Sequence, residues 1–210
     1  MKGKEKVRRG EKLEPVGESN EIKGINNEII EVFKNYFKYS SRAELGFDIV
    51  IPVIISMLIF VSLAFLEPSN KQFLLNIKEV NNTSMAIMAI LAGFNTTSLA
   101  IIATASGSAL GHLYQLKTKN NIVNQIITFF TFAIMSQIII LIFGIIILIL
   151  SNSLQGIYGN VGLHLSWINI RIPLFVLAFL WGTFNLFSLF VSLRNVSLLY
   201  RYILFVAKKQ

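Results

Sequence analysis

Ser108 and His112 stand four residues apart, the spacing that puts two side chains on one helix face, and a hydroxyl beside an imidazole is the simplest nucleophile-and-base pair. Nothing in the sequence completes that pair. The other histidine, His164, falls in a different connection, and no Asp or Glu follows Glu79 to orient an imidazole. His112 is therefore read as a helix-end residue satisfied by the last carbonyls. Intramembrane hydrolysis needs paired aspartates, a serine with a basic partner or a metal cluster, and the apolar segments hold none of these. The absence of cysteine excludes disulfides and thiolate metal sites, and Gly107-Ser108-Ala109-Leu110-Gly111 is a small-residue cluster without the form of a phosphate-cradling loop. The expectation is a non-enzymatic protein with no catalytic residue, cofactor or metal.

The remaining chemistry is polar and lies inside apolar segments. Residues 84–110 are long enough to cross a bilayer, yet their middle reads Gly93-Phe94-Asn95-Thr96-Thr97-Ser98. Each of those polar groups needs a hydrogen-bond partner where water is absent. At 3.6 residues per turn, Gly93, Thr97, Ala100, Thr104, Gly107 or Ser108, and Gly111 form one stripe. Such a stripe either lets helices approach closely or, around an oligomer axis, lines a narrow polar path. Asn95 lies off the stripe and needs its own neighbour. Candidates are Asn185, Ser188, Ser192 and Asn195, with Gly182 before them, and Asn124, Thr128, Thr131, Gln137 and Gly144. The helix-contact or pore-lining set is thus Gly93, Asn95, Thr97, Thr104, Ser108, Asn185, Ser188 and Ser192.

The elements that must hold these residues follow from composition. Of 210 residues, 54% are hydrophobic and 14% charged, with a mean hydropathy of +0.63. The charges avoid four apolar runs, 49–66, 85–110, 122–150 and 172–193, each able to span a membrane once as a helix. A soluble bundle would show charge on a solvent face, and these runs show none. The fold class is therefore all-α: an integral membrane bundle of four transmembrane helices occupying 48–200. Without an ionisable group inside those runs, proton relays, carboxylate sodium sites and voltage sensing have nothing to work with. The first run, with only Ser56 and Ser62 and with Pro52 in its first turn, reads as the most lipid-like.

Ahead of the bundle, residues 1–20 mix charges with Gly3, Gly10, Pro15 and Gly17 and read as disordered. Residues 21–40 repeat Ile22, Ile25, Ile29, Val32, Phe33, Tyr36 and Phe37 at three- and four-residue steps, opposite Glu28, Glu31, Lys34 and Lys38. That is an amphipathic helix, for the membrane interface or for a cytoplasmic protein partner. A basic tail, 201–210, closes the chain. The long charged region before the first run does not read as a cleaved leader.

Basic residues concentrate before the first run, at Lys117 and Lys119, and at Arg194, Arg201, Lys208 and Lys209. The other two connections carry Lys71 and Lys78, balanced by Glu67 and Glu79, and Arg171. The positive-inside rule then places both termini in the cytoplasm. The net charge of +8 suits anionic lipid; without aromatic interleaving it does not call for direct nucleic-acid binding. The connection 151–170, with Gly156, Tyr158, Gly159, Gly162 and Trp167, reads as an outer loop with interfacial anchoring.

Together with the charged N-terminal segment and four closely spaced runs, Leu91-Ala92-Gly93-Phe94-Asn95-Thr96-Thr97-Ser98-Leu99-Ala100 resembles small bacterial membrane proteins encoded in phage-defence or abortive-infection operons. The abundance of Ile, Asn and Lys resembles a low-GC bacterium. The resemblance implies a protein of the bacterial cytoplasmic membrane, homo-oligomeric through its polar seams. It would act as an effector or sensor that permeabilises the bilayer when a partner engages 21–40. The alternative is a structural anchor or accessory subunit of a transport complex.

Overall fold

The computed structural model describes residues 18–67, 69–104, 122–160 and 167–207. Ser108, His112, His164, Lys117, Lys119 and residues 1–17 lie outside them. The described chain is all helix: α1 Glu18–Tyr39, α2 Arg42–Leu66, α3 Asn70–Thr104, α4 Ile122–Asn160 and α5 Trp167–Ala207. Four stretches are long and apolar enough to cross a membrane: Arg42–Leu66, Asn70–Thr104, Val123–Ser153 and Arg171–Leu204. Only 17% to 33% of each apolar window is buried within the chain, so most of its hydrocarbon faces outward, as a bilayer solvates it and water does not.

Local signals set the boundaries. A capping box starts α2: the Glu44 amide donates to Ser41 Oγ (3.2 Å) and the Ser41 amide to Glu44 Oε2 (2.7 Å). This helix begins well before the apolar run, which moves Pro52 from a first turn to the helix interior. There its missing N–H leaves the carbonyl of Asp48 without an i→i−4 donor. α3 likewise begins at Asn70 and not at 85, because Lys71, Lys78 and Glu79 ride on a helix that continues past the apolar stretch. The start of the expected tail, 201–207, continues α5.

Hydrogen bonds fix how the helices lie. α3 and α5 run parallel: Trp181 Nε1 donates to Asn81 Oδ1, Asn195 Nδ2 to Asn95 Oδ1 and Tyr202 Oη to the Ile102 carbonyl, each pair separated by 100 residues. α4 is antiparallel to α3, with Asn81 Nδ2 donating to the Gly144 carbonyl and Asn95 Nδ2 to Gln137 Oε1. α2 is antiparallel to α5 through Asp48–Arg194, through Ser56 Oγ donating to the Phe179 carbonyl, and through Arg171 Nη2 donating to the Ala64 carbonyl. With 17% of its apolar window buried, α2 is the least buried of the four spans, as its sequence reads, and α5 holds it at both ends and in the middle. α1 packs on α4 through Phe33 and Tyr36 against Phe129 and Phe132.

The core follows a seven-residue period. Leu74, Asn81, Met88, Asn95 and Ile102 are all buried on α3, and Val123, Ile126, Phe130, Ala133, Gln137, Ile140, Gly144 and Ser151 on α4. These are the alternating three- and four-residue steps of a coiled-coil seam. Gly144 permits a close approach of α3 and α4: a Cβ there would lie 2.6 Å from Met85 Cγ and Sδ.

Candidate functional site

Asn95, the residue left without a neighbour in the sequence, is the centre of a buried node joining three helices. Its Nδ2 donates to Gln137 Oε1 on α4 (3.2 Å) and to Ser192 Oγ on α5 (3.1 Å), and its Oδ1 accepts from Asn195 Nδ2 (3.2 Å). Gln137 Nε2 also donates to Ser192 Oγ (2.6 Å), whose own proton goes to the Ser188 carbonyl (3.1 Å). Asn195 Nδ2 reaches the Phe129 carbonyl as well (3.3 Å). Asn95, Gln137 and Asn195 are fully buried, so in hydrocarbon each must be satisfied by the others.

Two seven-residue repeats away along the seam, Asn81 forms a second node. It donates to the Gly144 carbonyl (2.9 Å) and accepts from Trp181 Nε1 (3.0 Å), again linking α3, α4 and α5. The nodes stand about 21 Å apart at 1.5 Å per residue, so they pin the register of the bundle at two levels. Asn185 Nδ2 bonds back to the Trp181 carbonyl (2.8 Å); Ser188 is buried, and its Oγ has no partner among the described residues.

The small-residue stripe faces the other way. Gly93, Thr97, Ala100 and Thr104 are exposed, and nothing lies within 4 Å of a Cβ built on Gly93. As a contact between helices of one chain this face is corrected. The reason is chemical: Thr97 Oγ1 donates to the Gly93 carbonyl (2.9 Å) and Thr104 Oγ1 to the Ala100 carbonyl (2.9 Å), so each hydroxyl is satisfied by its own helix. Ser108, the remaining member of the set, lies outside the described residues.

A third cluster consists of residues the sequence left outside the apolar runs. Arg194 Nη1 meets Asp48 Oδ2 at 2.6 Å, with the two side chains 12% and 1% exposed. Tyr36 Oη on α1 donates to the same carboxylate oxygen (2.9 Å), and Arg194 Nη1 reaches Ser40 Oγ (3.3 Å). The guanidinium carbon lies 4.9 Å from the Tyr36 ring centroid and 4.3 Å from that of Phe129, within cation–π range of both. Tyr36 stacks in turn on Phe132, centroids 3.7 Å apart. Burial pushes the Tyr36 phenol above tyrosine's ordinary range; Arg194 pulls the other way and Asp48 adds to the rise. The phenol is thus protonated at neutral pH and serves as a donor. The expectation that the spans carry no ionisable residue is corrected here, since Asp48 and Arg194 lie within the membrane-crossing helices and are buried against each other.

Chemically, this is a junction: an amphipathic helix, α1, closes over an ion pair between two spans. Asp48 and Arg194 border the apolar runs by one residue each, and Tyr36 read as one of many apolar positions on α1. Asn81 was likewise assigned to a connection. The seven-residue spacing of Asn81, Met88, Asn95 and Ile102 was the signal that would have found it. No protein-family model, curated protein or solved structure matches this chain.

Proposed function

We propose that the chain is a non-enzymatic multipass effector or sensor of the bacterial cytoplasmic membrane, working as a homo-oligomer whose input is the docking state of α1, in a phage-defence setting. The observation that supports this reading is the Tyr36–Asp48–Arg194 junction. Helix α1 presents Glu28, Glu31, Lys34 and Lys38 outward while Tyr36 covers a buried ion pair. A cytoplasmic protein that draws α1 away uncovers that pair. An uncovered pair in low dielectric favours rearrangement of the two spans that carry it. Because both polar nodes are filled by their own side chains, permeation belongs to a path between copies, with Gly93, Thr97 and Thr104 as its wall.

The test is dye or ion release from vesicles reconstituted with the full chain. Wild type keeps them sealed; Tyr36→Ala, which removes both the phenol and its ring stacking, accelerates release at least several-fold. Thr97→Leu or Thr104→Leu added to Tyr36→Ala suppresses that release. Tyr36→Phe, which keeps the packing, separates loss of the hydrogen bond from loss of the fold, and unchanged helicity by circular dichroism is required throughout. Sealed vesicles with a folded Tyr36→Ala variant overturn the effector reading. The two nodes bonded within one chain support a second reading in that event, a structural anchor or accessory subunit of a transport complex, in which α1 captures a partner and nothing permeates.

A further inference from the structure

At the Arg171 end of the bundle, beyond the close contact at Gly144, α3, α4 and α5 border a partly open groove with a cavity volume of about 90 Å³. Leu74 and Ile77 line it from α3, Ile147, Leu150 and Ser151 from α4, and Leu174, Leu177 and Ala178 from α5, with Trp181 at its inner end. Its wall is almost wholly hydrocarbon. Trp181 is buried, and its Nε1 is taken by Asn81. A polar solute therefore has little to bond with here, whereas a flexible alkyl chain loses nothing by entering.

The groove lies within three of the membrane-crossing stretches, so what reaches its mouth is lipid. Charge at that end points the same way. On α3, Lys71 and Lys78 stand three residues before and four after Leu74, on the face that borders the groove. On α5, Arg171 stands three residues before Leu174, but it is buried against Phe73 and its guanidinium donates to the Ala64 and Glu67 carbonyls, which leaves the two lysines as the cations facing a lipid. Glu67 and Glu79 are exposed or half-buried nearby, and Glu79 lies on a different flank of α3 from Lys71 and Lys78. From Leu174 to Trp181 the groove runs about 10 Å along α5, at 1.5 Å per residue, the direction a lipid tail takes inward from its phosphate.

We infer that this groove is a binding site for one acyl chain of a membrane phospholipid, whose phosphate is held beside Lys71 and Lys78. It stands independently of the role given to α1.

Trp181 reports on the occupant directly. The chain has two tryptophans, so Trp167→Phe leaves Trp181 as the one indole. That variant, reconstituted as the full chain in phosphatidylglycerol vesicles with bromine on the acyl chains, should lose at least half of its Trp181 fluorescence relative to unbrominated vesicles. Ser151→Phe or Leu177→Phe, added separately to fill the groove from α4 or from its exposed rim on α5, should restore most of the emission; Leu177 is 56% exposed and tolerates the change. Lys71→Gln with Lys78→Gln should weaken quenching by brominated phosphatidylglycerol two-fold or more. No quenching overturns the proposal. So does quenching that both groove-filling variants leave unchanged, since lipid outside the groove then reaches the indole. Shielded Trp181 together with a dimer in detergent overturns it in favour of a second copy as occupant.

Discussion

Replacing Arg194 by methionine takes a cation from beside two aromatic rings and leaves the carboxylate of Asp48 buried with Tyr36 as its remaining bonded partner. Replacing Asp48 by leucine does the converse. Either change alone strands a charge in low dielectric, which costs about 3–5 kcal/mol, whereas removing both charges avoids that penalty. The prediction is that Asp48→Leu/Arg194→Met in purified, reconstituted protein is more stable than either single variant, measured by thermal unfolding in one detergent. Losses that simply add would mean that the two side chains are not energetically coupled, which overturns the prediction. The same contrast bears on the proposed function, because the neutral double variant would remove the difference between a covered and an uncovered junction. Tyr36→Ala should then no longer promote vesicle release in that background.

At the scale of elements, the contact between α3 and α4 rests on a glycine. A valine at Gly144 would drive its Cβ to 2.6 Å from Met85 and separate the helices on which Asn81 and its carbonyl partner sit. We expect Gly144→Val to cost about 1–3 kcal/mol through overpacking, and Met85→Ala to recover part of that loss. A double-mutant cycle on unfolding free energy checks it, and no recovery would place the strain elsewhere. The helices themselves were legible in the sequence: four uncharged runs and the three-and-four spacing on α1 follow from hydropathy and periodicity alone. Their seams were less so. Counting small and hydroxylated residues singled out Gly93, Thr97 and Thr104, but a threonine hydroxyl can bond its own helix, as both threonines do. Asn95, with two amide protons and a carbonyl, is satisfied only by other helices, and it marks the buried face. The ion pair was hidden for a different reason. Charges defined where the apolar runs ended, so Asp48, Arg171 and Arg194, each one residue beyond a run, were excluded by the rule that drew the boundary.

For the molecule as a whole, the two ends of the bundle differ in their number of basic residues, and that difference predicts an orientation in the bilayer. Among the described residues the Arg194 end carries Lys34, Lys38, Arg42, Arg194 and Arg201 beside Glu28, Glu31 and Glu44, while the Arg171 end carries Lys71, Lys78 and Arg171 beside Glu67 and Glu79; acidic residues count little toward orientation. Basic residues are retained on the cytoplasmic side, so α1 and the Arg194 end should face the cytoplasm. The proposed partner for α1 requires that orientation. Because the chain has no cysteine, one introduced residue is a unique label site. Glu28→Cys on α1 and Gln72→Cys at the start of α3 are both exposed positions, near opposite ends of the bundle. A membrane-impermeant maleimide added to intact cells should label Gln72→Cys, and should label Glu28→Cys only after permeabilisation. The reverse pattern would invert the molecule and place α1 beyond the reach of any cytoplasmic partner. Labelling of both from one side would mean that α2, the helix between them, does not cross the membrane, and its contacts with α5 at Asp48–Arg194 and Ser56–Phe179 would then have to form outside hydrocarbon, where they contribute far less.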